Sequence, residues 1–153
     1  MKHDYEAVWR DAGPTLWRAV RAYSGGRTDL ADDAVAEAFA RAIARDGEIR
    51  DPVAYLYRIA FRVASVELRE RAARAELLDG DPQRTSVPAG DAEVWGALTA
   101  LPPDQRAALY LFYRADLPVR EIARRLGRSN AAIRMDLVRG RRRLAELLRE
   151  DEP

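Results

Sequence analysis

The sequence predicts an all-α protein built from two small helical domains. Ala, Leu, Arg and Glu, which favour helices, dominate the 153 residues, and apolar residues recur at helical spacing. A stretch rich in Pro, Gly and small polar residues, 79–90, interrupts this pattern, and such a composition is typical of a linker. We therefore predict an N-terminal domain over 1–78 and a C-terminal domain over 91–153.

The composition excludes several classes of functional site. The chain contains no Cys, which rules out disulfides and thiolate metal ligands, and its only His is His3. No apolar run approaches the ~20 residues of a membrane span, and the N-terminus lacks the apolar core of a signal peptide. We expect a cytoplasmic protein with no cofactor, metal site or membrane insertion. No nucleophile–base pair is evident, so we do not expect an enzyme.

The first predicted helix runs from about Asp4 to Tyr23. Gly13-Pro14 is expected to break or kink it, because Pro lacks the amide hydrogen that an inner helical turn uses. Trp9 and Trp17 lie on its apolar stripe, so we expect both to anchor the core.

The second predicted helix begins at a cap formed by Thr28 or Asp29 and ends near Arg45. Apolar residues occupy one face, and the opposite face is charged. This charged face is either a solvated surface or a docking surface for a partner of basic or mixed charge. Its residues are Asp32, Asp33, Glu37 and Arg41.

The third predicted helix runs from Pro52 to about Leu78, with Asp51 as its cap. It carries more aromatic and Arg residues than a core stripe needs. Interleaved aromatic rings and guanidinium groups suit unstacked single-stranded bases, which need surfaces to stack on and cations along the backbone. The alternative is that the aromatic residues pack in the core. The interleaved residues are Tyr55, Tyr57, Arg58, Phe61, Arg62, Arg69, Arg71 and Arg74.

The C-terminal domain contains a predicted helix-turn-helix over Leu117–Leu148. Shorter helices at 91–101 and 104–114 precede it. Gly127 ends the first helix of the motif, and Ser129 or Asn130 caps the second. Ten Arg and three acidic residues between 118 and 149 favour contact with nucleic-acid phosphates. The alternative is a helical hairpin with a solvated Arg face.

Four stretches in this order resemble the extracytoplasmic-function (ECF) group of bacterial sigma-70 factors. The stretches at 13–17, 31–42 and 54–60 resemble sigma region 2. The stretch at 101–106, followed by the helix-turn-helix, resembles region 4. The order and the intervening linker fit this family, and the resemblance covers nearly the whole chain.

The resemblance implies a role for each of three surfaces. The second helix would dock on core RNA polymerase through Asp33, Glu37, Phe39 and Arg41. The third helix would recognise and open the −10 promoter element through Tyr55, Arg58, Arg62 and Arg69. The helix-turn-helix would read the −35 element through Arg128, Ser129, Asn130, Ala131, Arg134 and Arg139.

The chain departs from the family pattern in the second helix, in the third helix and in the recognition helix, where Ala131 and Ala132 replace the usual Gly and Thr. Ala36 stands where the family usually has Gln, while Arg62 and Val66 stand where it usually has Asn and Asp. Asp136 replaces an expected cation in the recognition helix. We expect this acid to lie close to phosphate and to weaken DNA binding by repulsion.

These features lead to a primary hypothesis and two alternatives. The primary hypothesis is a non-enzymatic sigma factor that binds core RNA polymerase and directs promoter-specific initiation, regulated by an anti-sigma factor. The first alternative is a sigma-derived transcription regulator or interaction protein that binds polymerase or anti-sigma factor without opening promoters. The second is a simple helix-turn-helix repressor that binds duplex DNA without polymerase.

Overall fold

A computed structural model describes residues 2–78, 97–98 and 100–150. Over these ranges the regular elements are all helical, which confirms the predicted fold class. The predicted linker at 79–90 and most of the predicted helix at 91–101 lie outside the described residues. The elements are α1 (Tyr5–Tyr23), α2 (Thr28–Ala44), a 3₁₀ turn (Asp46–Glu48), α3 (Pro52–Leu78), α4 (Pro103–Tyr113), α5 (Val119–Leu126) and α6 (Asn130–Glu150).

Helices α1, α2 and α3 pack together as an N-terminal unit. The buried face of α2 is lined largely by alanines, whose small side chains let the neighbouring helices approach closely. Larger aliphatic side chains from all three helices fill the remaining space. They include Leu16, Val20, Leu30, Val35 and Leu56.

Helix α1 continues through Gly13-Pro14, so of the two predicted effects, a break or a kink, the break does not occur. Pro14 lies on the exposed side of the helix, where solvent can hydrate the Arg10 carbonyl that Pro14 cannot bond. The ring of Trp9 packs directly on Gly13. A side chain at this position would collide with the ring, since an added Cβ would lie only 2.5 Å from Cε3 of Trp9. Trp9 is 47% exposed, so it is not the core anchor that the apolar stripe predicts.

The helix caps follow the sequence in part. Asp51 caps α3 as predicted, since its Oδ1 accepts a hydrogen bond from Ala54 N at 3.1 Å. The predicted cap of α2 is wrong, because the helix begins at Thr28 with Arg27 in the cap position and no side-chain cap. Asp29 is instead bonded by Arg71 of α3 at 2.8 Å, and this hydrogen bond lowers the pKa of Asp29.

Helices α4, α5 and α6 form a C-terminal unit that packs directly on the N-terminal unit. Helix α4 lies against α1, and α5 lies against α3. Buried residues of both units belong to one continuous core. The two DNA-binding surfaces suggested by the sequence are therefore close neighbours in this structure.

Candidate nucleic-acid interface

The predicted helix-turn-helix is formed by α5, a short turn and α6. Gly127 ends α5 with φ 67° and ψ 36°, a left-handed conformation that Gly adopts without steric cost. Ser129 caps α6, since its Oγ accepts a hydrogen bond from Ala132 N at 3.1 Å. Ile122 and Ile133 are fully buried beneath the turn, so the two helices are fixed at a defined angle.

The start of α6 presents most of the predicted −35 residues to solvent. Arg128 is half-buried, whereas the others are exposed, namely Ser129, Asn130, Ala131, Arg134 and Arg139. The structure thus brings all six onto the turn and the first three turns of one helix. Exposed guanidinium groups here can contact phosphates or the edges of guanines in the major groove.

Asp136 does not lie where the sequence comparison predicts. It is only 8% exposed, and its carboxylate forms an ion pair with Arg128 of the turn. Asp104 of α4 lies 3.8 Å from the same guanidinium. The expectation that Asp136 faces DNA phosphate is wrong. Its carboxylate is nearly buried and points toward Arg128 of the turn instead of outward from α6.

Two apolar residues on the exposed side of α6 were not among the predicted contacts. Met135 is 45% exposed and Val138 is 43% exposed, and both lie among the exposed arginines. Apolar side chains in this position can contact the methyl group of thymine. The sequence could have indicated Met135 and Val138 as exposed. They are adjacent to Arg134 and Arg139 and do not fall on the buried stripe formed by Ile133 and Leu137.

A cleft of about 320 Å³ lies where the loop after α2 meets the start of α3. Two predicted −10 residues, Tyr55 and Arg58, line it. The loop contributes residues that the sequence reasoning missed, because a loop has no periodicity to show which side chains converge. These are Arg45, Glu48, Ile49, Arg50 and Asp51. One aromatic ring beside three arginines can accommodate a base and its phosphate.

The other predicted −10 residues do not join this cleft. Arg62 and Arg69 are exposed farther along α3. Tyr57 and Phe61 are buried in the core, so of the two interpretations of the α3 aromatics, packing is correct for this pair. Tyr57 is fully buried, and burial raises the pKa of its hydroxyl.

Three of the four predicted polymerase-docking residues share one surface of α2, and Phe39 lies on a different side of the helix, against α1. Asp33, Glu37 and Arg41 are exposed, and Arg41 Nε lies 2.8 Å from Glu37 Oε1. Phe39 is half-buried, with its ring edge-on to Trp9 at a centroid distance of 5.4 Å. The acids and the arginine are therefore available to a partner, while Phe39 contributes partly to packing.

Residues 91–144 match the family model described as sigma-70, region 4. The C-terminal unit is therefore similar in sequence to region 4 of sigma-70 factors. Its helix-turn-helix, α5 and α6, falls largely within the matched residues.

The whole chain is similar in fold to a sigma factor of known structure. The match is to RpoE from Bartonella quintana, solved in complex with the anti-sigma factor NepR, with a TM-score of 0.77 and 24% sequence identity. It covers 97% of this chain and 99% of RpoE. A sequence comparison with curated proteins finds no match. The shared fold agrees with the predicted all-helical architecture, and the region 4 match adds a similarity in sequence over residues 91–144.

The described ranges contain neither a helix suited to span a membrane nor a cluster of side chains suited to a metal ion. None of the helices there is long and apolar enough to cross a membrane. Within the same residues, no group of three or more His, Asp or Glu side chains is arranged to hold a metal ion.

Proposed function

We propose that this chain is a sigma factor that binds core RNA polymerase and directs promoter-specific transcription initiation as a non-enzymatic subunit. One observation carries the proposal. A region 4 helix-turn-helix with exposed arginines occurs in one chain with a separate tyrosine–arginine cleft on α3. A simple repressor has no evident use for the second site.

The region 4 surface supports recognition of duplex DNA at a −35 element. Arg134 and Arg139 are exposed on α6, and Ser129 and Asn130 lie exposed at its N-terminal end. Helix N-termini and arginines both favour phosphate, while Arg134 is also placed to reach a base edge. Met135 and Val138 add an apolar component to this readout.

The cleft on α3 supports recognition of an unpaired base at a −10 element. Tyr55 supplies a ring for stacking, and Arg50 and Arg58 bring positive charge beside it, while Arg45 is paired with Glu48 of the same cleft. A base that is extruded from the duplex needs such a combination of stacking surface and phosphate-binding cations. Arg62 and Arg69 extend the positive charge along α3 for the displaced strand.

The exposed α2 surface supports docking on core RNA polymerase, with Asp33 and Glu37 as the acidic contacts. An anti-sigma factor is the second proposed partner, because the sigma factor of similar fold was solved with one bound. We propose that both partners act in the cytoplasm of a bacterium, where the polymerase is found.

The decisive experiment is transcription in vitro from a fragment library of bacterial genomic DNA. Core polymerase is supplied with or without the chain, and transcript start sites are mapped by sequencing. We expect transcripts that depend on the chain and share sequence elements near −10 and −35. Polymerase that binds the chain yet yields no promoter-dependent transcript would favour the sigma-derived regulator, and the absence of polymerase binding would favour the repressor.

The variant Arg134→Ala tests whether region 4 reads the −35 element. If Arg134 reads a base edge, its loss should cost about 1–3 kcal/mol of discrimination at one base pair. The matched control is Arg142→Ala, an exposed arginine farther along α6. An equal loss of affinity for all sequences would reduce Arg134 to a phosphate contact.

A further inference from the structure

The only histidine of the chain lies just before α1 and contacts the loop that shapes the cleft on α3. This cleft loop, residues 45–51, joins α2 to α3. It supplies most of the residues that line the cleft, so the shape of the cleft depends on how the loop is held. The lining residues from the loop are Arg45, Glu48, Ile49, Arg50 and Asp51.

His3 binds the cleft loop at two points. Its backbone N–H donates to the carboxylate of Asp46, with distances of 3.2 Å to Oδ1 and 3.0 Å to Oδ2. Its ring Nε2 lies 2.9 Å from the carbonyl oxygen of Ile49. A carbonyl oxygen only accepts hydrogen bonds, so Nε2 is the ring nitrogen that carries the proton in this contact. The backbone and ring of His3 thus span the 3₁₀ turn from its first residue, Asp46, to the residue that follows it, Ile49.

Tyr5 contacts the same 3₁₀ turn from the start of α1. Its Oη lies 3.3 Å from Asp46 Oδ1 and 3.3 Å from the carbonyl oxygen of Ala42, near the end of α2. Burial and the Asp46 carboxylate raise the pKa of Tyr5 to about 12, so its hydroxyl remains a hydrogen-bond donor at physiological pH. Its ring is edge-on to that of His3, with centroids 6.2 Å apart. His3 and Tyr5 therefore form one N-terminal tether that meets the loop at Asp46.

The N-terminal tether supplements the weak internal bonding of the cleft loop. Within the 3₁₀ turn, Glu48 N donates to Arg45 O at 2.9 Å and Ile49 N donates to Asp46 O at 3.2 Å. Hydrogen bonds of a 3₁₀ turn have poorer geometry than those of an α-helix, so contacts from outside the turn help to fix it. Asp4 caps α1 by accepting from two backbone N–H groups of its first turn. The tether thus connects the loop to a well-formed helix.

The position of the loop matters more for base selectivity than for attraction of phosphate. Charge–charge attraction falls slowly with distance, so a displaced arginine still attracts phosphate. A hydrogen bond to a base edge tolerates only a narrow range of distance and angle. Glu48 and Arg50 flank the tethered Ile49, and a carboxylate and a guanidinium are both groups that can read a base edge. A displaced loop therefore loses discrimination between bases before it loses affinity for DNA.

We propose that His3 and Tyr5 are positioning residues of the candidate −10 cleft, which fix the cleft loop and thereby set the selectivity of the cleft for an unpaired base. Neither residue lines the cleft, and each acts through Asp46 or Ile49. The part of the inference that concerns DNA rests on the proposed function, whereas the restraint on the loop does not.

Amide hydrogen exchange of the full chain, followed by NMR, tests the restraint without DNA. The reporters are the amides of Glu48 and Ile49, which are hydrogen-bonded in the 3₁₀ turn. The double variant His3→Ala/Tyr5→Phe removes both side-chain donors and keeps an aromatic ring at position 5. Exchange at the two reporters should rise about tenfold. The amide of Arg128, hydrogen-bonded in the turn of the helix-turn-helix, should exchange at its wild-type rate.

Transcription by core polymerase that carries the chain tests the effect on selectivity. The templates are promoters that the chain activates, with their −10 elements randomised, and the transcripts are sequenced. At the most selective −10 position, the preference for the best base over the worst should fall about three- to tenfold in the double variant. Preferences at −35 should not change. A preference is a ratio between bases, so it is insensitive to a change in affinity that affects all sequences equally.

A conservative variant and a neighbouring variant provide the controls. Gln also carries an N–H donor that can reach the Ile49 carbonyl, so His3→Gln should retain the loop protection and the selectivity that His3→Ala loses. Lys2→Ala, at an exposed position next to His3, should behave as the wild type. Unchanged exchange at both reporters, unchanged −10 selectivity, an equal loss of selectivity at −35, or a His3→Gln variant no better than His3→Ala would each overturn the proposal.

The two measurements separate this proposal from the proposed function. A wild-type chain that yields no promoter-dependent transcript would overturn the proposed function together with the effect on base selectivity. The exchange rates would still decide whether His3 and Tyr5 hold the cleft loop. Promoter-dependent transcription with unchanged −10 selectivity in the double variant would overturn the positioning role alone.

Discussion

Asp136 shows how one residue acquires a different role from the one that its position in the sequence predicts. The family pattern suggests a cation facing phosphate, whereas here a nearly buried carboxylate pairs with Arg128. This pair links the turn to the second turn of α6. It also holds the Arg128 guanidinium toward the protein, so Asp136 positions the turn and limits the contribution of Arg128 to DNA contact.

We predict that Asp136→Ala lowers the free energy of unfolding by about 1–3 kcal/mol, because it removes the nearer of the two carboxylates beside the half-buried guanidinium of Arg128 and leaves only the more distant Asp104. Denaturant titration measures the change. Arg128→Ala should also destabilise, and the double variant should lose less than the sum of the two single variants. Additive losses would show that the pair does not couple the turn to α6.

Tyr5 gives the N-terminal unit a specific sensitivity to alkali. Its hydroxyl donates to Asp46 Oδ1 at 3.3 Å, and burial together with this carboxylate raises the pKa of Tyr5 to about 12. The unfolded chain loses the Tyr5 proton near pH 10, whereas the folded chain retains it until about pH 12. The unfolded state then binds fewer protons, so stability falls as the pH rises between these values.

We predict that the unfolding free energy of Tyr5→Phe falls less steeply between pH 10 and 12 than that of the wild type. The slope of this free energy against pH should differ by at most the contribution of one titrating proton. Denaturant titrations across this range provide the measurement. The remaining slope should come from other tyrosines, since burial also raises the pKa of Tyr57 and Tyr110. Below pH 10 the wild-type and variant curves should run parallel. An unchanged slope above pH 10 would contradict the assignment to Tyr5.

At the scale of single helices, the contact between α4 and α6 depends on the absence of a side chain at Gly140. A Cβ there would lie 2.9 Å from Leu109 Cδ1 and 3.4 Å from Gln105 Cβ. Gly140 is buried in the middle of α6, where its conformational freedom is a disadvantage. Close helix packing, rather than backbone conformation, explains the glycine at this position.

We predict that Gly140→Leu destabilises the chain by about 1–3 kcal/mol, because the larger side chain forces α6 away from α4. The same change at an exposed position of α6, Ala145→Leu, serves as the control and should have little effect. Thermal or denaturant unfolding compares the two. Equal stability of Gly140→Leu and the control would show that α6 tolerates the displacement.

The helices and caps were the most predictable features, because they depend on residues close together in the sequence. Asp51, Gly127 and Ser129 act as predicted, through hydrogen bonds or backbone conformation within one turn. The uninterrupted α1 was not predicted, because whether Pro14 breaks a helix depends on the solvent exposure of the turn before it.

The composition of the candidate site was less predictable, because its members come from distant parts of the chain. Tyr55 and Arg58 could be proposed from α3 alone, but Arg45 and Arg50 join them only through the path of the loop. Likewise, periodicity leaves open whether Tyr57 stacks on a base or packs in the core. That question is decided by Arg125, which lies 68 positions later in the sequence and covers the ring.

At the scale of the whole molecule, two units that the sequence separates by a linker share one core. The contact combines apolar packing with guanidinium–ring and ion-pair contacts, and it leaves several buried polar atoms without hydrogen bonds. Interfaces between domains of one chain are commonly of this mixed type and permit relative motion. The two units can thus pack on each other in the free chain without being locked together.

The packing of the two units on each other predicts the dimensions of the free chain in solution. A compact protein of 153 residues should have a radius of gyration of about 15 Å. Small-angle X-ray scattering of the free chain should give a value near this one. Raising the salt concentration should increase the radius of gyration only slightly. Salt screens the partly exposed pair of Arg124 and Asp51, but the contacts of Arg106 with Tyr23 and of Arg125 with Tyr57 are buried. The Arg124→Gln/Arg125→Gln variant should be larger at all salt concentrations, since it weakens the buried contact as well. A wild-type value above roughly 20 Å at low salt would mean that the two units are already apart, since a compact chain of this length cannot reach it.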